Sequence, residues 1–285
     1  PTLYDANGDN VYDYAYATDM RGNVWKFDLS NANPSLWGIA FPAATGFPNG
    51  APLFQARNAA GQVQWIQPRV ELARPPLGVP GVIVLFGTGR FFTTTDNIDT
   101  TTQSFYGILD NGTRVTTTDR SQLQQQTISL VNVNFRGVTT PLRDVSTNTV
   151  NWSTKRGWYM DLPTSKERVI GSAVVRAGRV IFTTLIPSDD PCNFGGSGWL
   201  MEVDAKTGAK LPYSVFDTNG DGLVNDSDTR VGGVPLGVGI VKQPLVLEGS
   251  PTAQKVMSGT SGNIQIERNR TFNRLGRDSW REVTR

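Results

Sequence analysis

The sequence predicts an all-β fold, a modified β-propeller, and three observations carry that reading. Helical periodicity is nearly absent along the chain. Short apolar or alternating runs recur instead, separated by turns that draw on 30 Gly and 17 Pro. A strand, turn and strand unit also returns at irregular intervals, as blades do when insertions decorate them. A β-sandwich is the plainer alternative that the same strand content allows.

Taken in order, strand-like runs fall at 11–17, 24–29, 63–66, 82–86, 104–109, 157–162, 169–175, 179–186, 199–203, 243–247, 255–258 and 263–266. The best helical candidate is RSQLQQQ at 120–126, following a Thr-rich stretch at 115–118. The repeated unit is clearest when YATDMRGNVWKF (16–27) is set beside VMSGTSGNIQIE (256–267), which carry Gly22-Asn23 and Gly262-Asn263 at matched positions. GWLMEVD at 198–204 is a third copy, sharing the first Gly and last Asp of GNVWKFD at 22–28, and an AKTG turn follows it. About four blade-like units result, near 1–56, 62–110, 157–215 and 236–285, with 111–156 as an insertion in a single domain over 1–285. Propellers usually close with more blades, so the chain is expected to be the C-terminal part of one, with edges that need a partner segment.

Composition removes several function classes. Charged residues make up 18% of the chain and the net charge is +2, too weak a field to point to nucleic acid. No apolar run approaches the roughly 20 residues of a membrane helix. No signal peptide is visible, and a start at Pro1 is expected of a mature piece or an excised fragment. Zero histidines removes the usual general base, the usual transition-metal ligand and every Ser-His-Asp triad. Cys192 is the only cysteine, so neither an internal disulfide nor a four-Cys zinc site can form.

What chemistry remains concentrates in two acidic loops. Calcium takes six to eight oxygens, and a 12-residue loop supplies them from positions 1, 3, 5, 7, 9 and 12 around a Gly at 6. DTNGDGLVNDSD at 217–228 fits every position: Asp217, Asn219 and Asp221, then Gly222 for the turn, the Leu223 carbonyl, Asn225 and Asp228. Its flanks, 211–216 and 231–241, read as strand and Gly-rich loop rather than helix, so only the loop has the EF-hand form. DANGDNVYD at 5–13 is shorter. It offers Asp5, Asn7, Asp9, the Val11 carbonyl and Asp13, with Asn10 where Gly should stand. Asn tolerates the left-handed conformation, and Asp13 must complete the shell because position 12 is Tyr16. A plain Asx-rich turn is the alternative at both places. If Ca²⁺ binds, it relieves repulsion between close carboxylates and ties the flanking strands together.

Several long, unusual segments stand out along the chain: YDANGDNVYDYAYATDMRGNVWKFDLS (4–30), VLFGTGRFF (84–92), TQSFYGILDNG (102–112), RSQLQQQTI (120–128) and KRGWYMDLP (155–163). They continue through GRVIFTTLIPSDDPCNFGGSGWLMEVDAKTGAKL (178–211), SGNIQIERN (261–269) and GRDSWRE (276–282). On these segments the chain resembles the C-terminal domain of the PilC/PilY family of type IV pilus tip proteins over nearly its whole length. The resemblance implies a seven-bladed or similar propeller, exported through the periplasm to the pilus tip or outer membrane. The implied roles are pilus assembly, adhesion, twitching motility and control of retraction. The implied partners are minor pilins and the pilus assembly machinery, with a host receptor engaged through other regions of the parent chain. Calcium is the family's ligand, and the resemblance carries it onto Asp5, Asn7, Asp9 and Asp13, and onto the second loop. Thr18 departs from the small Gly expected in the first hairpin.

Other constellations have plainer readings. Arg21-Gly22-Asn23 only approximates an integrin-type tripeptide, and the recurrence of Gly-Asn at 262–263 favours a turn. Trp25, Trp158, Tyr159, Trp199 and Trp280 read as blade packing before a sugar platform. Glu202 with Asp204, and Asp189 with Asp190, lack the partners that glycoside chemistry needs. Arg268, Arg270, Arg274, Arg277, Arg281 and Arg285 make a basic stretch that suits an acidic partner such as a minor pilin, or plain solvation. The expected function is therefore binding, not catalysis. A host-receptor or glycan adhesin is the alternative. A quinone-dependent dehydrogenase is disfavoured, because Cys192 alone cannot form the vicinal disulfide many such enzymes carry and no convergent catalytic set is visible.

Overall fold

The structure is a computed structural model that describes residues 1–116, 120–188, 190 and 195–271. Cys192, Asp189, Trp280, Arg274, Arg277, Arg281 and Arg285 lie outside these residues. Among the described residues the architecture is all-β, with four sheets. The first holds β1 (Thr2–Tyr4), β2 (Tyr14–Thr18), β3 (Asn23–Asp28) and β4 (Gly38–Ile39) in that order, and β5 (Phe54–Gln55) also pairs with β3. The second runs β6 (Glu71–Ala73), β7 (Val82–Gly87), β8 (Ser104–Asp110), β12 (Gly157–Asp161) and β9 (Gln124–Gln126). The third runs β10 (Ile128–Phe135), β11 (Val138–Val145), β17 (Gly233–Leu236), β16 (Gly196–Asp204), β14 (Arg179–Thr183) and β13 (Val174–Arg176), with β15 (Ile186–Pro187) on β16. The fourth is β18 (Leu245–Leu247), β19 (Thr252–Ser258) and β20 (Ile264–Arg270).

The period of two along each strand stacks these sheets face to face. In β7, Val82, Val84 and Phe86 join Val24, Leu53 and Phe54 of the first sheet region in one core. The alternate residues Ile83 and Leu85 join Val180, Phe182, Met201 and Val203 of the third sheet in another. Ile181 and Leu200 then face Ala253 and Met257 of the fourth sheet. A central strand with both faces covered must be apolar throughout, and all six residues of β7 are buried. Ring contacts mark two of these seams: Phe54 of β5 lies against Phe86 and Tyr106 with centroids 6.2 and 5.4 Å away, and Phe105 stacks on Phe182 at 4.0 Å.

The repeated hairpin is real in two of its three copies. Gly22 has φ 72° and Gly262 φ 79°, and each donates its N–H three residues back, to Asp19 O and Gly259 O. In the third copy Gly198 sits inside β16, where a Cβ would strike the Thr184 carbonyl, so this glycine permits close strand approach instead of a turn. The AKTG turn forms, with Gly208 N–H donating to Asp204 O, but the next strand begins only at Gly233.

The helix expected at 120–126 does not form. Arg120 is left-handed at φ 61° and pairs with Asp161 at 2.7 Å. Gln124–Gln126 runs parallel to β12 instead, and the Gln126 amide spans the Asn148 and Thr207 carbonyls. Those tertiary bonds outweigh a modest helical preference. Residues 111–156, read as an insertion, supply β9 to the second sheet and the β10–β11 hairpin to the third. The stretch 211–216, read as a strand, holds only an isolated bridge at Phe216.

Candidate metal loops

The first loop joins β1 to β2, and the second lies between β16 and β17. Though the sequences differ in length, their hydrogen bonds superimpose. At position 1, Asp5 Oδ1 accepts from Gly8 N at 2.6 Å and Asp217 Oδ1 from Gly220 N at 2.7 Å. The second oxygens accept from position 6, Asn10 N at 2.8 Å and Gly222 N at 3.1 Å. Asn7 and Asn219 accept from Asp9 N and Asp221 N, both at 2.9 Å. Asp9 and Asp221 accept from Val11 N at 2.7 Å and Leu223 N at 2.8 Å. In both loops the amide of the asparagine approaches the second oxygen of that aspartate at 3.2 Å.

Closure also matches. The N–H of position 2 donates to the closing carboxylate, Ala6 to Asp13 at 2.8 Å and Thr218 to Asp228 at 2.7 Å. Asp13 thus plays the part of Asp228 three residues earlier in the count. Tyr16, which occupies position 12 of the first loop, turns into the core and donates to Asp110 at 2.5 Å. Asn10 at φ 69° adopts the left-handed backbone that Gly222 adopts at φ 88°, so asparagine substitutes for glycine in the turn.

The settings differ. The first loop is exposed, and the Gly8 N–H is the main cause that holds the Asp5 carboxyl below its ordinary range. In the second, Asp217 and Asp228 are buried and basic side chains crowd the rim. Arg136 donates to Glu267 at 2.5 Å and to Asp217 O at 3.4 Å, Arg268 lies 3.9 Å from Asp217 Oδ2, and Arg270 lies 3.5 Å from Asp226. Asn225 accepts from Ser227 N and donates its own N–H to Asp228, so every side chain named from the sequence belongs to the turn network. The arginines were not foreseen. Their only sequence signal was the basic run beginning at Arg268, and Arg136 arrives from a distant hairpin.

The donor set fits a hard cation: carboxylate, amide and main-chain oxygens at alternate positions, already ordered by backbone N–H groups. Among the described residues no three Asp, Glu, His or Cys side chains form a metal cluster by themselves, so a cation in either loop depends on the amide and carbonyl oxygens as well. The two loops lie on different sheets and share no hydrogen bond among the described residues.

Fold and loops together define a β-propeller domain with acidic turn loops set between its strands. A family model described as the PilY1 beta-propeller domain matches residues 1–137. The type IV pilus biogenesis factor PilY1 of Pseudomonas aeruginosa is 36% identical over 257 residues, 79% of this chain and 22% of that protein. A PilY1 homolog of Xylella fastidiosa is 36% identical over 212 residues, 72% of this chain and 14% of the homolog. The crystal structure of the P. aeruginosa PilY1 C-terminal domain is similar with a TM-score of 0.75 at 29% identity, covering 94% of this chain and 59% of that one. The chain belongs to the PilY family of type IV pilus proteins. It spans between about a seventh and about a fifth of the length of these curated relatives. No helix among the described residues is long and apolar enough to cross a membrane.

Proposed function

We propose that this chain is a calcium-holding, non-catalytic propeller region of a type IV pilus biogenesis protein, displayed at the cell surface on the pilus tip or outer membrane. Relatives named as pilus biogenesis factors support the setting. The observation that carries the calcium reading is the shared hydrogen-bond cradle of the two loops. In the first, Asp5, Asn7, Asp9, the Val11 carbonyl and Asp13 hold the ion. In the second, Asp217, Asn219, Asp221, the Leu223 carbonyl, Asn225 and Asp228 do so.

Calcium supplies charge neutralisation there, removing like-charge repulsion that otherwise loosens each loop. The stacked sheets then present one fixed surface to minor pilins and the assembly machinery. Holding that surface in place favours pilus extension over retraction, and with it adhesion and twitching motility. The test is calorimetric titration of the wild-type chain with Ca²⁺. Uptake at or below about millimolar concentration is expected of an extracellular site; no uptake in that range overturns the loop assignment. Normal surface piliation after deletion of the parent gene overturns the assembly role.

A further inference from the structure

A cleft of about 560 Å³ opens beside the first sheet, walled by Phe47, Gln55, Arg57 and Arg114. At Phe47 and Gln55 it meets a second cleft of about 410 Å³, walled also by Arg21 and Trp25. Trp25 and Phe47 stand edge to face with centroids 5.9 Å apart, giving the junction an aromatic wall. Both clefts open to solvent and share Phe47 and Gln55, so together they form one groove along this face.

The groove is cationic. Arg57 donates to the Gly61 carbonyl at 2.7 Å and to Gln55 Oε1 at 2.7 Å, while Arg114 donates to the Pro52 carbonyl at 2.8 Å. Neither bonds a carboxylate among the described residues. The one carboxylate on the wall among the described residues, Asp19, is filled by four donors: Arg21 N, Asn23 N, Asn23 Nδ2 and Trp25 Nε1 at 2.8–3.0 Å. Two polar atoms are left enclosed without a partner, the Arg57 Nε donor and the Asn23 Oδ1 acceptor. Buried polar groups of this kind ordinarily find one.

We propose that this groove binds an acidic, extended polypeptide segment of a partner protein. Guanidinium groups recognise carboxylates by paired N–H donation, and the aromatic wall takes the aliphatic part of a side chain. A groove open along its length suits a chain passing through it, more than a small molecule that must be enclosed.

The probe is a fluorescein-labelled hexaglutamate peptide, followed by anisotropy with the full chain at about 20 mM and about 300 mM salt. Saturable binding at low salt, weakened severalfold at high salt, is expected. Arg114→Gln, whose guanidinium holds only a loop carbonyl, should bind at least tenfold more weakly with an unchanged circular dichroism spectrum. Arg57→Gln should do the same, and Arg176→Gln, an exposed arginine of the third sheet, should bind like wild type. Absence of saturable binding, or equal affinity in Arg114→Gln and wild type, overturns the proposal. Tighter binding of an oligogalacturonate than of the peptide overturns the polypeptide assignment in favour of an acidic sugar. None of these outcomes depends on calcium.

Discussion

Phe216 pairs with Asn269 across an isolated antiparallel bridge, so the residue just before the second loop is tied to the C-terminal sheet. The Lys255 ammonium lies 4.1 Å from the Phe216 ring centroid and pairs with Glu202, which Arg179 also reaches at 2.9 Å. Arg136 closes the circuit from the Asp217 carbonyl to Glu267 of β20. An ion that orders this loop should therefore steady β20. Hydrogen exchange with and without Ca²⁺ measures it. Amides of both 217–228 and β20 should slow, by up to about a hundredfold at calcium near 100 Kd where opening loses the site. Arg136→Ala should keep the loop protection and lose most of that in β20.

The matched cradles predict two independent sites. Asp9→Ala should remove one calcium equivalent in titration and Asp217→Ala the other, leaving the remaining affinity within a factor of about two, as expected for sites on separate sheets. The two variants should differ in calcium-free buffer. Asp217 is buried, and its loss removes its hydrogen bonds from the Gly220 and Gly222 N–H groups, costing about 1–2 kcal/mol in urea unfolding. Asp9 is exposed, and its loss should cost well under that.

Two glycines make room for one indole. Trp158 is fully buried, and a Cβ at either Gly107 of β8 or Gly208 of the AKTG turn would overlap its ring. Gly208 also holds φ 69°. Gly208→Ala should combine about 1 kcal/mol of backbone strain with about 1–3 kcal/mol of overpacking. Gly262→Ala, at φ 79° but with open space around it, should cost the strain alone. Urea unfolding of the pair separates the two contributions, and equal losses would refute the packing account.

The legible parts of this molecule are those where local chemistry and tertiary setting agree. VIVLF at 82–86 reads as a strand and is buried because both its faces are covered, and Gly22 and Gly262 read as turns because their backbone demands it. The turn network of the two loops was legible because alternate oxygens around a left-handed residue are a short-range pattern. The β10–β11 hairpin was missed. Its strands are largely exposed, and although β10, ISLVNVNF, alternates apolar with polar residues, it fell within the stretch 111–156 read as an insertion. Its signal lay in the two-residue turn Arg136-Gly137, with φ 53° and 89°, between the paired Phe135 and Val138. The cluster around Asp217 could not be read at all, since Arg136 and Glu267 meet from positions 131 residues apart.

Asp96 should govern part of the acid stability. Its side chain is fully buried, which by itself pushes the carboxyl up, but the N–H groups of Phe92 and Thr93 and the Arg90 guanidinium outweigh burial and hold it below the ordinary range. The folded state then binds fewer protons than the unfolded chain between the depressed value and about 3.9. Its stabilisation is complete above the unfolded value and is lost as pH falls through the folded one. Asp96→Asn should lower the urea midpoint at pH near 7 and flatten its decline below about pH 4. Wild type and variant should converge at the lowest pH at which both still fold. A gap of constant size across that range would assign the effect to packing of the 90–99 turn and remove the titration from the account.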